Sequence, residues 1–225
     1  KQINIDQIVQ QYTHLHDEGY PIDDKVTKLA NLYKKVNYLP TSVTTNLFGK
    51  DRSNHIKNLI SNYEKENPVG MKSNVKAWAS DYHTHLQTDI FSNYLNSILQ
   101  YSQNLYNKLF STEEILEVGE FWVAHYRRGE FTVKHNHGNL LDDFIISGCY
   151  YAYVEDNASP IIFDGQKPVY PKNDSLVLFS PQTEHEVPPT DGERIIMSFN
   201  IRKTKKTQLT TDDCDKLTSF IKNDQ

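Results

Sequence analysis

From Glu120 onward the chain is written in short apolar or alternating runs, each closed by turn residues, and this constrains the fold more than anything else in its 225 residues. The runs are Phe121–Arg127, Phe131–His137, Phe144–Val154, Pro160–Phe163, Leu176–Ser180 and Arg194–Arg202. Between them stand Arg128-Gly129, Glu155-Asp156-Asn157, Asp164-Gly165, Lys172-Asn173-Asp174 and Asp191-Gly192. Runs of this kind, punctuated by turn-forming residues, read as strands. Many short strands at regular spacing make a sandwich or a barrel.

The first 110 residues read differently. Ile5, Ile8, Val9 and Tyr12 recur at helical spacing, as do Val26, Leu29, Leu32 and Tyr33. Ile56, Leu59, Ile60 and Tyr63 mark a third helix that stops before Pro68-Val69-Gly70. A fourth helix is predicted over Thr88–Leu109, with Ile90, Tyr94, Ile98, Tyr101, Leu105 and Leu109 as its stripe. Thr210–Lys222 predicts a last short helix, opened by the capping run Thr210-Thr211-Asp212-Asp213. The fold class expected is α+β with a mainly β core. Residues 1–69 form a helical extension, and 70–225 form the β domain with a supporting helix and the C-terminal helix. No Gly/Ser/Pro-rich tether divides the chain, and Ser111–Gly119 reads as a short polar connection.

Composition narrows the function. The net charge of -5 argues against a dedicated nucleic-acid binder. The basic run Arg202-Lys203-Thr204-Lys205-Lys206 has no interleaved aromatics and reads as a solvated strand end. No stretch of 18 apolar residues exists, so no membrane-spanning helix is expected, and no apolar leader opens the sequence given. Two cysteines, Cys149 and Cys214, do not make a disulfide framework, and a reduced cytoplasmic setting is the expectation. The oligomeric state is not legible.

The chemistry concentrates in three histidines. His135-Asn136-His137 places two imidazoles at i and i+2, which on a strand point the same way. His185 follows 48 residues after His137, on what should be an opposing strand. Three imidazoles suit a first-row divalent metal. His83 and His85 repeat the spacing, but they lead into a helix, where such positions diverge. In Arg194–Arg202, Arg194, Ile196, Ser198 and Asn200 share one face, and Ile195, Met197, Phe199 and Ile201 share the other. The apolar face should pack on the helix Thr88–Leu109. The polar face puts a guanidinium, a hydroxyl and an amide inside the barrel, where an anion would satisfy Arg194.

Several motifs together resemble a known family. They are His135-Asn136-His137, Ser147-Gly148-Cys149-Tyr150-Tyr151, and Leu178-Phe179-Ser180-Pro181 ahead of His185-Glu186-Val187-Pro188-Pro189. The last is Arg194-Ile195-Ile196-Met197-Ser198-Phe199-Asn200, and Lys72-Ser73-Asn74-Val75-Lys76-Ala77-Trp78 joins them upstream. The combination resembles the 2-oxoglutarate- and Fe(II)-dependent oxygenases common in marine phages, relatives of the prolyl 4-hydroxylases. It spans about Gly70 to Lys203.

The resemblance implies a double-stranded β-helix (jelly-roll) and a hydroxylase that releases succinate and CO2. Fe(II) would be held by His135, His137 and His185. The distal carboxylate of 2-oxoglutarate would meet Arg194, with Tyr151 assisting and Ser198 beside it. Ascorbate is allowed as an accessory. O2 is the oxidant, and a peptide or small molecule is the substrate, peptidyl proline being favoured by kinship. Two positions depart from the family pattern. His137 stands where most of the superfamily has a carboxylate, which leaves Asp142 and Asp143 as alternative ligands. Ile196 stands where a serine is expected.

Two other readings share the barrel. A cupin-type metalloenzyme fits less well: Gly129, His135, His137, Asp142 and Gly148 miss its first motif by an Asp for Glu and one residue of spacing. It would not need an inward Arg194. A non-enzymatic jelly-roll binding or structural module would hold a closed metal site or none.

Overall fold

The computed structural model describes residues 39–138 and 144–204. The elements in chain order are β1 (Ser42–Thr45), α1 (Lys50–Glu66), β2 (Val75–Lys76), β3 (Trp78–Ala79), α2 (Thr84–Gln87) and α3 (Ser92–Phe110). Then come β4 (Leu116–Tyr126), β5 (Phe131–His135), β6 (Phe144–Val154), β7 (Ile162–Phe163), β8 (Ser175–Phe179), β9 (His185–Val187) and β10 (Arg194–Lys203). From β4 onward successive strands alternate between two sheets. The larger has the order β1-β8-β6-β10-β4-β3, and the smaller β2-β5-β9-β7. The pairings between these strands are antiparallel. This is a double-stranded β-helix, the jelly-roll expected.

Two apolar layers hold it. The first lies outside the larger sheet. Ile195, Met197, Phe199 and Ile201 of β10 share a core with Ile56 and Ile60 of α1 and Leu95, Ile98 and Tyr106 of α3. Each such side chain contributes about 1.5–3 kcal/mol by leaving water. The second layer is the barrel interior, where Ile196 joins Trp122, Tyr126, Tyr151, Phe163 and Phe179. The two-face reading of β10 therefore holds residue by residue.

Helix α1 forms because Ile56 and Ile60 recur on one face. The turn that leads into it is anchored from far away. The carboxylate of Asp174 accepts the backbone N–H groups of Phe48 and Gly49, at 2.9 and 2.7 Å. That anchor ties the helix to the β7–β8 connection. At its other end Glu64 reaches Nδ1 of His125 on β4 at 2.6 Å, while Nε2 of His125 meets Glu193.

Three expectations need correction. The helix predicted over Thr88–Leu109 begins at Ser92. Its buried stripe is Leu95, Ile98, Ser102 and Tyr106, whereas Ile90 and Leu109 are exposed. The helix packs by a face turned from the predicted one, with Tyr94, Tyr101 and Leu105 only partly buried at its margin. Second, Ser111–Gly119 is not all connection. Leu116 to Gly119 already belong to β4, and a bulge against Asn200 and Ile201 lets that strand run on. Third, β1, β2 and β3 have no clear alternation in the sequence. The segment Lys72–Trp78 crosses between the sheets, giving Val75 and Lys76 to the smaller and Trp78 to the larger. The stripes before residue 39, the predicted helix Thr210–Lys222, Cys214, and Asp142 with Asp143 lie outside the described residues.

Candidate metal centre and anion pocket

His135 and His185 face each other as a register pair of β5 and β9. One pairing earlier, Thr132 opposes Val187. Three residues of β5 thus span what two of β9 span, which is a bulge. Without it, Thr132 and His135 would point to opposite faces. With it, both turn inward, and Phe131 and Val133 are left outside, 37% and 44% exposed. Bulges beside functional sites commonly re-aim a side chain in this way.

His137 joins the pair by another route. It lies past the end of β5, so strand alternation does not aim it, contrary to the expectation. Its backbone N–H donates to the carbonyl of Pro181 at 2.8 Å, which docks the turn onto the β8–β9 connection. Gly138 permits this approach, because a Cβ there would sit 3.2 Å from the backbone of Gln182. The three rings then close up, with centroids 4.9 Å apart for His135–His137, 4.3 Å for His135–His185 and 5.1 Å for His137–His185. One nitrogen from each lies within 4.8 Å of the others.

The triad is built to stay neutral. Burial lowers the pKa of all three imidazoles, and for His137 and His185 the neighbouring histidines lower it further. His185 falls to about 4. Nδ1 of His135 lies 2.8 Å from the carbonyl of Val133, and Nδ1 of His185 lies 3.0 Å from that of Thr183. A carbonyl only accepts, so both Nδ1 atoms carry the proton and both Nε2 atoms keep a lone pair. Neutral imidazoles with free lone pairs are the donor set a divalent first-row metal needs.

Arg194 is 1% exposed and lies in the same interior. Its guanidinium carbon stands 4.1 Å from the centroid of the Tyr126 ring, and Nη1 donates to the Ser159 carbonyl at 3.3 Å. Its Nε has no partner among the described residues. A wholly buried cation with an unpaired donor and, among the described residues, no ion-pair partner is costly. An anion entering the barrel would offset that cost.

Tyr151 is likewise buried, and burial holds its hydroxyl protonated far above the ordinary range. Ser198 is the register partner of Cys149 across β10 and β6, and burial pushes the Cys149 thiol up to about 11. All six predicted residues thus reach the barrel interior. Elsewhere, His83 and His85 stay outside the triad; His85 packs edge-on against Phe121 at 6.4 Å.

The sequence reading did not single out three other residues in this interior. Tyr126 lies against Arg194 and bonds Thr132 at 2.7 Å through its hydroxyl. Trp122 stands 6.0 Å from the His137 ring, with a buried Nε1–H that has no partner among the described residues. Asn200, placed on the inner face but given no role, contacts His137 directly. Alternation from Trp122 to Tyr126 signalled the first two as inward. The Asn200 contact had no local signal.

No protein-family model matches this sequence, and no curated protein sequence does. Solved structures do. A prolyl-4-hydroxylase from Pseudomonas putida superimposes with a TM-score of 0.59 at 21% identity, over 73% of this chain and 92% of that one. The viral collagen prolyl hydroxylase of Paramecium Bursaria Chlorella virus-1, solved with 2OG, gives 0.58 at 15%, over 73% and 96%. A Trichoplax adhaerens prolyl hydroxylase, in complex with a hypoxia inducible factor peptide fragment, gives 0.55 at 15%, over 78% and 89%. These proteins share its fold. At such identities the likeness speaks for the architecture alone, and the chemistry rests on the residues above. No described helix is long and apolar enough to cross a membrane.

Proposed function

We propose that this chain is an Fe(II)- and 2-oxoglutarate-dependent dioxygenase. It hydroxylates a C–H bond of a peptide or small molecule, and 2-oxoglutarate is consumed to succinate and CO2. One observation carries the reading: three neutral imidazoles converge in the same barrel interior that buries a guanidinium with an unpaired Nε. His135, His137 and His185 would hold the iron, which supplies the activation of O2 when bound. Three protein ligands leave open positions, as a reacting rather than a structural site requires.

The remaining roles belong to the chain. Arg194 receives the distal carboxylate of 2-oxoglutarate through a planar fork that also rests on Tyr126. Tyr151 donates its hydroxyl to the same carboxylate, and Ser198 lines the pocket beside it. Ile196 replaces a hydroxyl with a hydrocarbon and makes the pocket drier. The aromatic walls of Trp122, Phe163 and Phe179 exclude water, which limits turnover uncoupled from substrate. Peptidyl proline is the favoured substrate, and the relation to the phage-type enzymes rests on the motifs quoted above. We keep 1–69 as an N-terminal extension, 70–225 as the oxygenase domain, and the cytoplasm as its place. A cupin-type site or a closed structural metal site leaves the unpaired Nε of Arg194 unexplained.

Succinate release from a panel of peptides and metabolites, with Fe(II) and 2-oxoglutarate supplied, tests the activity. Arg194→Lys keeps the charge but loses the fork, and the 2-oxoglutarate concentration for half-maximal rate should rise about tenfold or more. An unchanged requirement in that variant removes Arg194 from this role. Tyr151→Phe should cost less, about 0.5–1.5 kcal/mol for one hydrogen bond.

A further inference from the structure

The three histidines are not set alike. Carbonyls receive the Nδ1 protons of His135 and His185, but Nδ1 of His137 faces the side-chain amide of Asn200 at 3.3 Å. Asn200 is fully buried, and its amide meets two other side chains. Ser147 donates its hydroxyl to Oδ1 at 2.6 Å. Glu120 accepts from Nδ2 at 2.6 Å. A hydroxyl both gives and takes, so Ser147 tolerates either end of the amide. An ionised carboxylate only accepts, so Glu120 demands the N–H end. The second Nδ2 proton then falls on His137. Its Nδ1 must accept, and the ring proton sits on Nε2.

Metal binding through Nε2 needs the opposite tautomer. Nδ1–H would then need an acceptor, and the amide oxygen of Asn200 can supply one if the amide turns end for end. Nδ2 would come to Ser147, which can accept it. Oδ1 would come to both His137 and Glu120, and the carboxylate oxygen repels it. We propose that Glu120, acting through Asn200, holds His137 in the non-ligating tautomer, and that metal uptake requires the Asn200 amide to turn. Glu120 and Asn200 are positioning residues in this scheme. The inference rests on the three-histidine metal site but not on its co-substrate or reaction. The ring proton moves from Nε2 to Nδ1 through solvent, and no charge is gained or lost on His137.

Two measurements test it on the full chain. A long-range proton–nitrogen correlation spectrum of the metal-free protein, at mildly alkaline pH, reads each imidazole tautomer directly. His135 and His185 should appear as Nδ1–H and His137 as Nε2–H; finding all three as Nδ1–H overturns the proposal. Cobalt(II) titration, followed by its visible absorption, reads the consequence. Glu120→Gln offers an N–H to the turned amide oxygen and should bind cobalt about tenfold more tightly than the parent. Asn200→Ala removes the acceptor and should bind about tenfold more weakly, a size usual for partners of metal ligands. Equal or weaker binding by Glu120→Gln overturns the proposal. Should the parent take up no cobalt at all, the metal reading fails while the tautomer spectrum still decides how the clamp is set.

Discussion

The two sheets of this barrel divide the labour unequally. In the larger, β4, β6 and β10 run for 11, 11 and 10 residues, and the outer face of β10 is sealed by α1 and α3. In the smaller, β5 is 5 residues long and β9 only 3, and its outer face leaves Phe131 and Val133 partly exposed. Yet the smaller sheet carries His135 and His185. The lesson is about register. A long ladder with one face buried cannot slip without turning its whole apolar set outward. A short strand can take a bulge and aim a ligand. The larger sheet is the floor against which that aim is kept.

Breaking the floor should have the largest effect. Met197 is fully buried between the sheet and the helices. Met197→Lys buries an unpaired ammonium and should cost at least a few kcal/mol, enough to abolish cooperative unfolding in a urea titration followed by circular dichroism. A folded variant of near-parental stability would show that the helices do not seal this face.

On the wall side, the effect should depend on pH. His185 has a pKa of about 4 in the folded chain against an ordinary 6.5. The unfolded chain therefore takes up a proton where the folded chain does not. The stability linked to His185 is complete above about pH 6.5 and is lost as pH falls towards about 4. The slope from this group reaches about 1.4 kcal/mol per pH unit. Metal-free His185→Gln should show a flatter acid limb in equilibrium unfolding; an identical limb would mean His185 is solvated in the metal-free chain.

Gly148 sharpens the contrast at a single atom. It belongs to the motif Ser147–Tyr151, yet a Cβ there would lie 2.4 Å from Phe199 and 2.8 Å from Leu178. Gly148→Ala should cost about 1–3 kcal/mol by overpacking, read from the unfolding midpoint, and should leave cobalt affinity near the parental value. A loss of metal at unchanged stability would move this glycine from the floor to the site. The smallest effect belongs to the outside of the wall. Val133→Thr should stay within about 0.5 kcal/mol, as exposed substitutions do. A larger loss would reveal that something covers that face.

Much of this was legible in the chain because it is local. Period-two alternation on Arg194–Arg202 sorted the floor from the pocket. The apolar run Phe144–Val154 matches β6 at both ends, and turn residues close it after Val154. The stripe Ile56, Leu59, Ile60 and Tyr63 marked α1. The histidine spacing identified the triad, though for a reason that was half wrong. Alternation was to aim His135 and His137 together, but the strand ends between them.

What the sequence by itself determined is which residue types could meet: the faces of β10, the three imidazoles, and a guanidinium on the inner face of that strand. Tertiary structure alone decided how they meet. The bulge opposite β9 turns His135 inward, the Pro181 carbonyl draws His137 in, and Asn200 meets Glu120, Ser147 and His137 at once. Each depends on a partner far away in the chain. Hydrogen-bond register and close backbone approach are properties of two segments together, so neither segment alone contains them.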